Sequence, residues 1–229
     1  MTVPRIFVVI PAFNEALVVR GVVEEVLQRG HEVVVVDDCS TDGTAKTLHG
    51  LSCTVLRHRV NLGQGAALQT GVDCCVERGA DVIVTFDSDG QHDPDDISKL
   101  VAALELERTD GPDVALGSRF LGATIGMTAG RQLLLRAALL FTRVTVGIQL
   151  TDVHNGLRAF RTRVADKLVI TQNRMAHASE LLALIHSCQL KFVEVPVTIR
   201  YSEYTRAKGQ SALGAVDIVI DLMQRQLRP

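Results

Sequence analysis

A formal net charge of only -2 over 229 residues denies the chain the broad basic field that draws proteins to nucleic acid, so no nucleic-acid partner is expected. The five cysteines, Cys39, Cys53, Cys74, Cys75 and Cys188, form no CxxC and have no histidines beside them at zinc spacing. A disulfide framework and a structural zinc are set aside in favour of a reduced thiol pool. The opening MTVPRIFVVIPAFNEA has neither a basic leader nor a long apolar run, which removes a signal peptide. The one extended apolar stretch, 133–150, carries Arg136 and Arg143 just beyond Arg131. At about 2.5 to 3.5 kcal/mol for each arginine at a bilayer centre, a spanning helix is disfavoured. No repeat and no linker rich in Gly, Pro and Ser divides the chain, and tryptophan is absent altogether.

With 47% hydrophobic and 22% charged residues, the composition is that of a globular protein with one core. Short β-branched runs at 6–10, 33–36, 54–56, 82–86 and 114–116 read as strands, and 16–29, 65–78 and 95–107 read as helices between them. The strands are apolar throughout rather than alternating, as strands of a parallel sheet buried on both faces are. An α/β fold follows: a doubly wound, mostly parallel sheet with helices on both faces. The last third changes character, with a long helical run at 131–150, the polar segment TDVHNGLRAF, two shorter helical pieces and a β pair around 192–201. This makes a small C-terminal β/helical extension. Residues 1–210 read as one domain and 211–229 as an amphipathic helix, its stripe formed by Ala212, Val216, Val219, Ile220, Met223 and Leu227. That helix either packs on its own core or docks on a membrane surface or a membrane partner.

Open α/β sheets bind ligands at the carboxyl ends of their strands, and four such junctions are polar here. The first, VVIPAFNEA, has no GxGxxG. Pro11, Ala12, Asn14 and Glu15 instead suit a nucleoside edge, with Asn14 alternatively a helix cap. The second, VVVVDDCSTDGT, sets two carboxylates at the end of an apolar strand, where an unpaired charge costs several kcal/mol, roughly. Asp38 is placed to accept from uracil or guanine, while Ser40, Thr41 and Asp42 cap the next helix. In the third, NLGQGAALQTG, Gly63 and Gly65 beside Gln64 permit close backbone approach to a phosphate at a helix start. The fourth, VIVTFDSDGQHDP, puts Asp87 and Asp89 on one side of an extended segment with Ser88 between them. Such a pair repels itself unless a hard cation, Mg²⁺ or Mn²⁺, sits between carboxylates and a diphosphate. His92 and His154 read as metal neighbours or as ordinary hydrogen-bonding residues. The segment 201–209, YSEYTRAKG, reads as a mobile loop whose Arg206 and Lys208 close over donor or acceptor phosphates.

PAFNEA, DDCSTDGT, NLGQGAALQTG and FDSDGQHDP, in this order, resemble the successive motifs of family-2 glycosyltransferases of GT-A fold, the last resembling the DXD signature. GSRF, TDVHNGLRAF and EVPVTIRY extend the resemblance to the branch of dolichol-phosphate mannose synthases and bacterial polyprenyl-phosphate glycosyltransferases. The resemblance implies that Pro11, Ala12, Glu15 and Asp38 line the nucleotide pocket and that Asp87 and Asp89 hold the metal with Gln91 beside it. It implies that Arg119 and Arg131 grip the acceptor phosphate and that Asp152 faces the donor sugar. Gln64 stands where many relatives carry Lys, which leaves diphosphate neutralisation more dependent on metal. With no tryptophan there is no QxxRW, so a single transfer is favoured over polymerisation.

The activity expected is therefore that of a metal-dependent, inverting hexosyltransferase. It would use a UDP- or GDP-sugar and a polyprenyl phosphate at the cytoplasmic membrane face, bound peripherally or through a small membrane-protein partner. A phosphate dianion is already nucleophilic near neutral pH. A saccharide or other hydroxyl acceptor would need a base, Asp152 or Glu180. A non-catalytic nucleotide-sugar-binding subunit is the third reading, and homo-oligomerisation stays open.

Overall fold

The computed structural model describes residues 3–127, 130, 132, 135, 139, 150–153, 155–172, 177–201 and 204. Its elements run β1 (Ile6–Ala12), α1 (Val19–Gln28), β2 (Glu32–Asp37), α2 (Thr44–Thr47), β3 (Thr54–Arg57), α3 (Gln64–Glu77) and β4 (Val82–Thr85). There follow α4 (Asp96–Ala103), β5 (Val114–Ile125), β6 (Arg158–Arg161), a 3₁₀ turn (Thr162–Lys167), α5 (His177–Ser187) and β7 (Phe192–Arg200). The strands form one seven-stranded sheet in the order β3-β2-β1-β4-β6-β5-β7. β1 lies parallel between β2 and β4, and β2 is parallel to β3.

Both faces of the sheet are covered, which is why its strands need apolar residues at consecutive positions. Val8, Ile10, Val33, Val35, Val82 and Val84 face a core shared with α1 and α4. Phe7, Val9, Val34, Val36 and Ile83 face the opposite core, closed by α3 and α5. A Cβ on Gly71 would run into the Val9 side chain and sit 3.3 Å from Val36 Cγ2, so this glycine lets α3 lie close on β1 and β2.

The parallel half matches the sequence expectation to within a few residues, and the second half departs from it. RAFR, taken as part of a polar segment, is β6, antiparallel to both β4 and β5. The expected β pair at 192–201 is instead the single strand β7, which runs parallel to β5 from Val114↔Phe192 to Ile125↔Arg200, with a register break between Ser118 and Ala123. Neither feature has a long apolar run to announce it; both are defined by partners distant in sequence. Among the described residues no helix is long and apolar enough to cross a membrane. The predicted 131–150 helix and the 211–229 helix fall mostly or wholly outside the described residues.

Candidate active site

The β1–α1 and β2–α2 loops are laced together. Asn14, with φ 55, donates its N–H to Ser40 Oγ at 2.9 Å and accepts the Thr41 N–H on Oδ1 at 2.9 Å. Glu15 N–H donates to Thr44 Oγ1 at 2.9 Å and Ala16 N–H to Asp42 Oδ2 at 3.0 Å. Asn14 is thus a bridge between loops and not the cap of α1, which has no side-chain cap. Ser40 and Thr41 likewise turn back to Asn14, and only Asp42 reaches the next helix, accepting the Thr44 N–H at 2.9 Å. Pro11 and Ala12 end β1 buried in the sheet, and Ala12 O accepts the Asp38 N–H at 2.9 Å. Glu15 is buried as well, and Tyr204 donates its hydroxyl to Glu15 Oε2 at 2.7 Å.

Asp38 is buried beneath the third junction. Its carboxylate accepts from Leu62 N–H at 2.9 Å, Gly63 N–H at 2.7 Å and His58 Nδ1 at 2.7 Å, and His58 Nε2 rests 3.0 Å from Thr70 Oγ1. The side chain predicted to read a base therefore also ties down the loop that opens α3. Gly63 takes φ 94, a conformation open to glycine at little cost, and Gln64 follows as the first residue of the helix. Its Nε2 donates to Asp87 Oδ1 at 3.2 Å.

Asp87 and Asp89 follow the end of β4, with Ser88 buried between them. Asp89 Oδ1 accepts the Gln91 N–H at 3.0 Å. His92, buried from the same loop, sets Nε2 3.0 Å from Asp87 Oδ2. Burial would raise the Asp87 carboxyl, but the hydrogen bond and charge of His92, with His177 and Arg158 further off, hold it below the ordinary range. Asp89 is pushed the other way, up to about 6, by burial and then by the negative charge of Asp87. Two hard oxygen donors close enough to disturb each other in this way fit a divalent cation, which removes the repulsion. Among the described residues no third His, Cys, Asp or Glu joins them as a ready-made cluster.

Residues that sequence reasoning passed over complete this corner. The first residue of β6, Arg158, pairs with Thr85, the last of β4, which brings the preceding Gly156 against Asp87. A Cβ there would stand 2.7 Å from Asp87 Cγ. Arg158 is buried, its Nε donating to Asn155 O at 3.0 Å. Burial lowers it to about 10 against the fields of Asp87 and Asp152. With Gln64, Thr85, Asp87 and His177 it gives a polar side to a small cavity of about 20 Å³ whose other walls include Leu68 and Leu181. The only sequence signals for Gly156 and Arg158 were a glycine and a cation inside TDVHNGLRAF.

Arg119 and Asp152, predicted in separate roles, form one buried ion pair: Arg119 Nε to Asp152 Oδ2 at 2.6 Å. The Arg119 N–H donates to the same oxygen at 3.1 Å, and Nη1 donates to Tyr201 Oη at 3.0 Å. Glu194 Oε1 supports the partner segment by accepting from Thr151 N–H at 2.8 Å and Thr151 Oγ1 at 2.7 Å. Arg119 is therefore held from within the protein, unlike an open grip on a phosphate. Glu180 is also engaged, accepting from Thr171 N–H at 3.1 Å and Gln172 N–H at 2.8 Å. Arg131, Arg206, Lys208 and His154 lie outside the described residues.

Comparison of whole structures defines the class first. Glucosyl-3-phosphoglycerate synthase from Mycobacterium tuberculosis, solved in complex with Mn²⁺, UDP-glucose and phosphoglyceric acid, superposes with a TM-score of 0.72 at 21% identity, over 99% of this chain and 81% of that one. The likeness is one of fold, and the fold is GT-A, as the motifs implied. The chain belongs to glycosyl transferase family 2, whose pattern matches residues 7–169. Polyprenol monophosphomannose synthase from Mycolicibacterium smegmatis is 31% identical over 87% of this chain and 78% of its own length. Undecaprenyl-phosphate mannosyltransferase from Micrococcus luteus is 30% identical over 89% and 87%. UDP-N-acetylglucosamine–dolichyl-phosphate N-acetylglucosaminyltransferase from Methanococcus voltae is 29% identical over 97% and 96%.

Proposed function

We propose that this protein is a divalent-cation-dependent, inverting glycosyltransferase that moves a sugar from a UDP- or GDP-sugar to a polyprenyl phosphate at a membrane surface. Three relatives carry names that pair a sugar with dolichyl, polyprenol or undecaprenyl phosphate. The observation that carries the choice of acceptor is the state of the two candidate bases. Asp152 is committed to Arg119 and Glu180 to the backbone of Thr171 and Gln172. With their oxygens so engaged, neither carboxylate is held open towards an incoming hydroxyl, which weighs against an acceptor that must be deprotonated by one of them. A phosphate dianion has no such requirement.

In this reading Pro11, Ala12, Asn14, Glu15 and Asp38 frame the nucleoside, and Gly63 and Gln64 present the start of α3 to the diphosphate. Asp87 and Asp89 hold Mg²⁺ or Mn²⁺, with Ser88 and Gln91 beside them. When bound, the cation offsets the negative charge that accumulates on the departing nucleoside diphosphate. An acceptor phosphate oxygen forms the new bond to the anomeric carbon as the bond from that carbon to the diphosphate oxygen breaks on the opposite face. The Arg119–Asp152 pair borders the acceptor side, where an incoming phosphate competes with Asp152 for the guanidinium, and Arg131, Arg206 and Lys208 supply further cations.

The test is nucleoside diphosphate release from UDP-glucose, UDP-N-acetylglucosamine and GDP-mannose, each with Mn²⁺ and a short prenyl phosphate. Release from one donor that depends on the prenyl phosphate is expected. Release driven by a free saccharide with the prenyl phosphate inert would replace this reading with the hydroxyl-acceptor one. Binding without any turnover would favour a non-catalytic nucleotide-sugar-binding subunit. Flotation with liposomes, with and without residues 211–229, tests peripheral attachment through the tail.

A further inference from the structure

His92 has no part in the transfer as described, yet it is the most constrained side chain near the aspartate pair. Its ring is buried, edge-on to Phe86 with centroids 5.3 Å apart. Its backbone is fixed from outside the loop: His92 bridges Ile199 of β7, and Arg200 N–H donates to the neighbouring Gln91 O at 2.8 Å. One ring nitrogen, Nε2, meets Asp87 Oδ2 at 3.0 Å, while Nδ1 is buried with no hydrogen-bond partner among the described residues. A carboxylate only accepts, so Nε2 carries a proton in this contact. Gln64 meets the other oxygen at 3.2 Å, and Gly156 packs against the carboxylate so closely that a Cβ there would stand 2.7 Å from Asp87 Cγ.

We propose that His92 is a positioning residue for the cation site: it occupies one lone pair of Asp87 Oδ2 and fixes the plane of that carboxylate, so that the remaining lone pairs face the ion. This rests on the reading that Asp87 and Asp89 hold the cation. A carboxylate has about four acceptor directions, and an ion bound through few protein ligands is sensitive to which of them stay open. Hydrogen-bond partners that orient metal ligands typically change affinity about 10- to 100-fold when removed. The unpartnered Nδ1 means that the ring sits where Asp87 requires it and satisfies only half of its own hydrogen-bonding capacity.

The experiment is Mn²⁺ binding to the full chain in the absence of donor, followed by the electron paramagnetic resonance signal of free Mn²⁺, with the melting temperature of the metal-free protein measured beside it. His92→Phe keeps the ring and removes the donor; the expected result is Mn²⁺ binding weakened about 10- to 100-fold. His92→Gln places an amide N–H where Nε2 stood and should return affinity to within about threefold of the original. In an Asp87→Asn background, His92→Phe should cost nothing further, since its effect passes through Asp87. If His92→Phe fails to fold, His92→Asn, whose amide is too short to reach Asp87, carries the same expectation. Unchanged Mn²⁺ affinity in a folded Phe or Asn variant overturns the proposal, as does equal damage from Phe and Gln. Failure of the unsubstituted protein to bind Mn²⁺ at all would instead overturn the cation reading itself.

Discussion

Between β1 and β4 the ligand-facing rim is held by hydrogen bonds between consecutive loops, Asn14 to Ser40 and Thr41, Asp38 to Leu62 and Gly63. Between β5 and β7 it is held by buried charge drawn from far along the chain, Arg119 to Asp152 and Tyr201. The first kind of construction uses many bonds, each individually modest. The second concentrates its stability in one desolvated pair that fails badly when half of it is removed. The half built on β1 to β4 should therefore tolerate single losses that the half built on β5 to β7 does not.

Five variants probe that contrast. Asp89→Ala, at the seam of the two halves, should reduce kcat/KM by at least about 10³-fold, roughly 4 kcal/mol of transition-state stabilisation, with the melting temperature nearly unchanged; steady-state release of nucleoside diphosphate measures it. Asp152→Ala strands Arg119 and should cost about 3 kcal/mol in urea unfolding. Joint replacement by Arg119→Met and Asp152→Leu should recover most of that loss, and if it does not, the pair is more than a local ionic contact. Gly156→Ala pushes on Asp87 and should cost about 2 kcal/mol, read as weaker Mn²⁺ binding together with a lower melting temperature. Asn14→Ala removes one stitch of the β1 to β4 half and should cost about 1 kcal/mol. A loss there as large as that of Asp152→Ala would erase the distinction.

The same division explains what the sequence disclosed. In the parallel half, each functional group sits within a few residues of the strand that carries it, so an apolar run followed by DDCSTDGT or FDSDGQHDP announces both strand and chemistry. Gln64 does meet Asp87, at 3.2 Å, while Asp89 lies in a turn past the end of β4 and not on the extended segment that the spacing suggested. Asp38 faces the same rim, but its ties to Leu62, Gly63 and His58 depend on β2 meeting the entry to α3, which no local pattern encodes. In the other half, β6 is four residues long with a buried arginine at each end, the reverse of a strand signature. Arg119 and Asp152 each looked like a free functional side chain because neither reveals that the other is its partner. His92 was visible as a histidine near the aspartates, while its hold on Asp87 required the frame of β7.

The reversed direction of β6 carries a consequence for how such a chain can change. Because β6 runs opposite to β4, it begins at the level where β4 finishes, and Thr85 meets Arg158 across the seam, with Leu116 of β5 on its other side. Residues 155–157 accordingly enter β6 beside the end of β4, next to the segment that carries Asp87 and Asp89. Replacements in that short lead can alter what stands beside the aspartates while β1 to β4 keep their register.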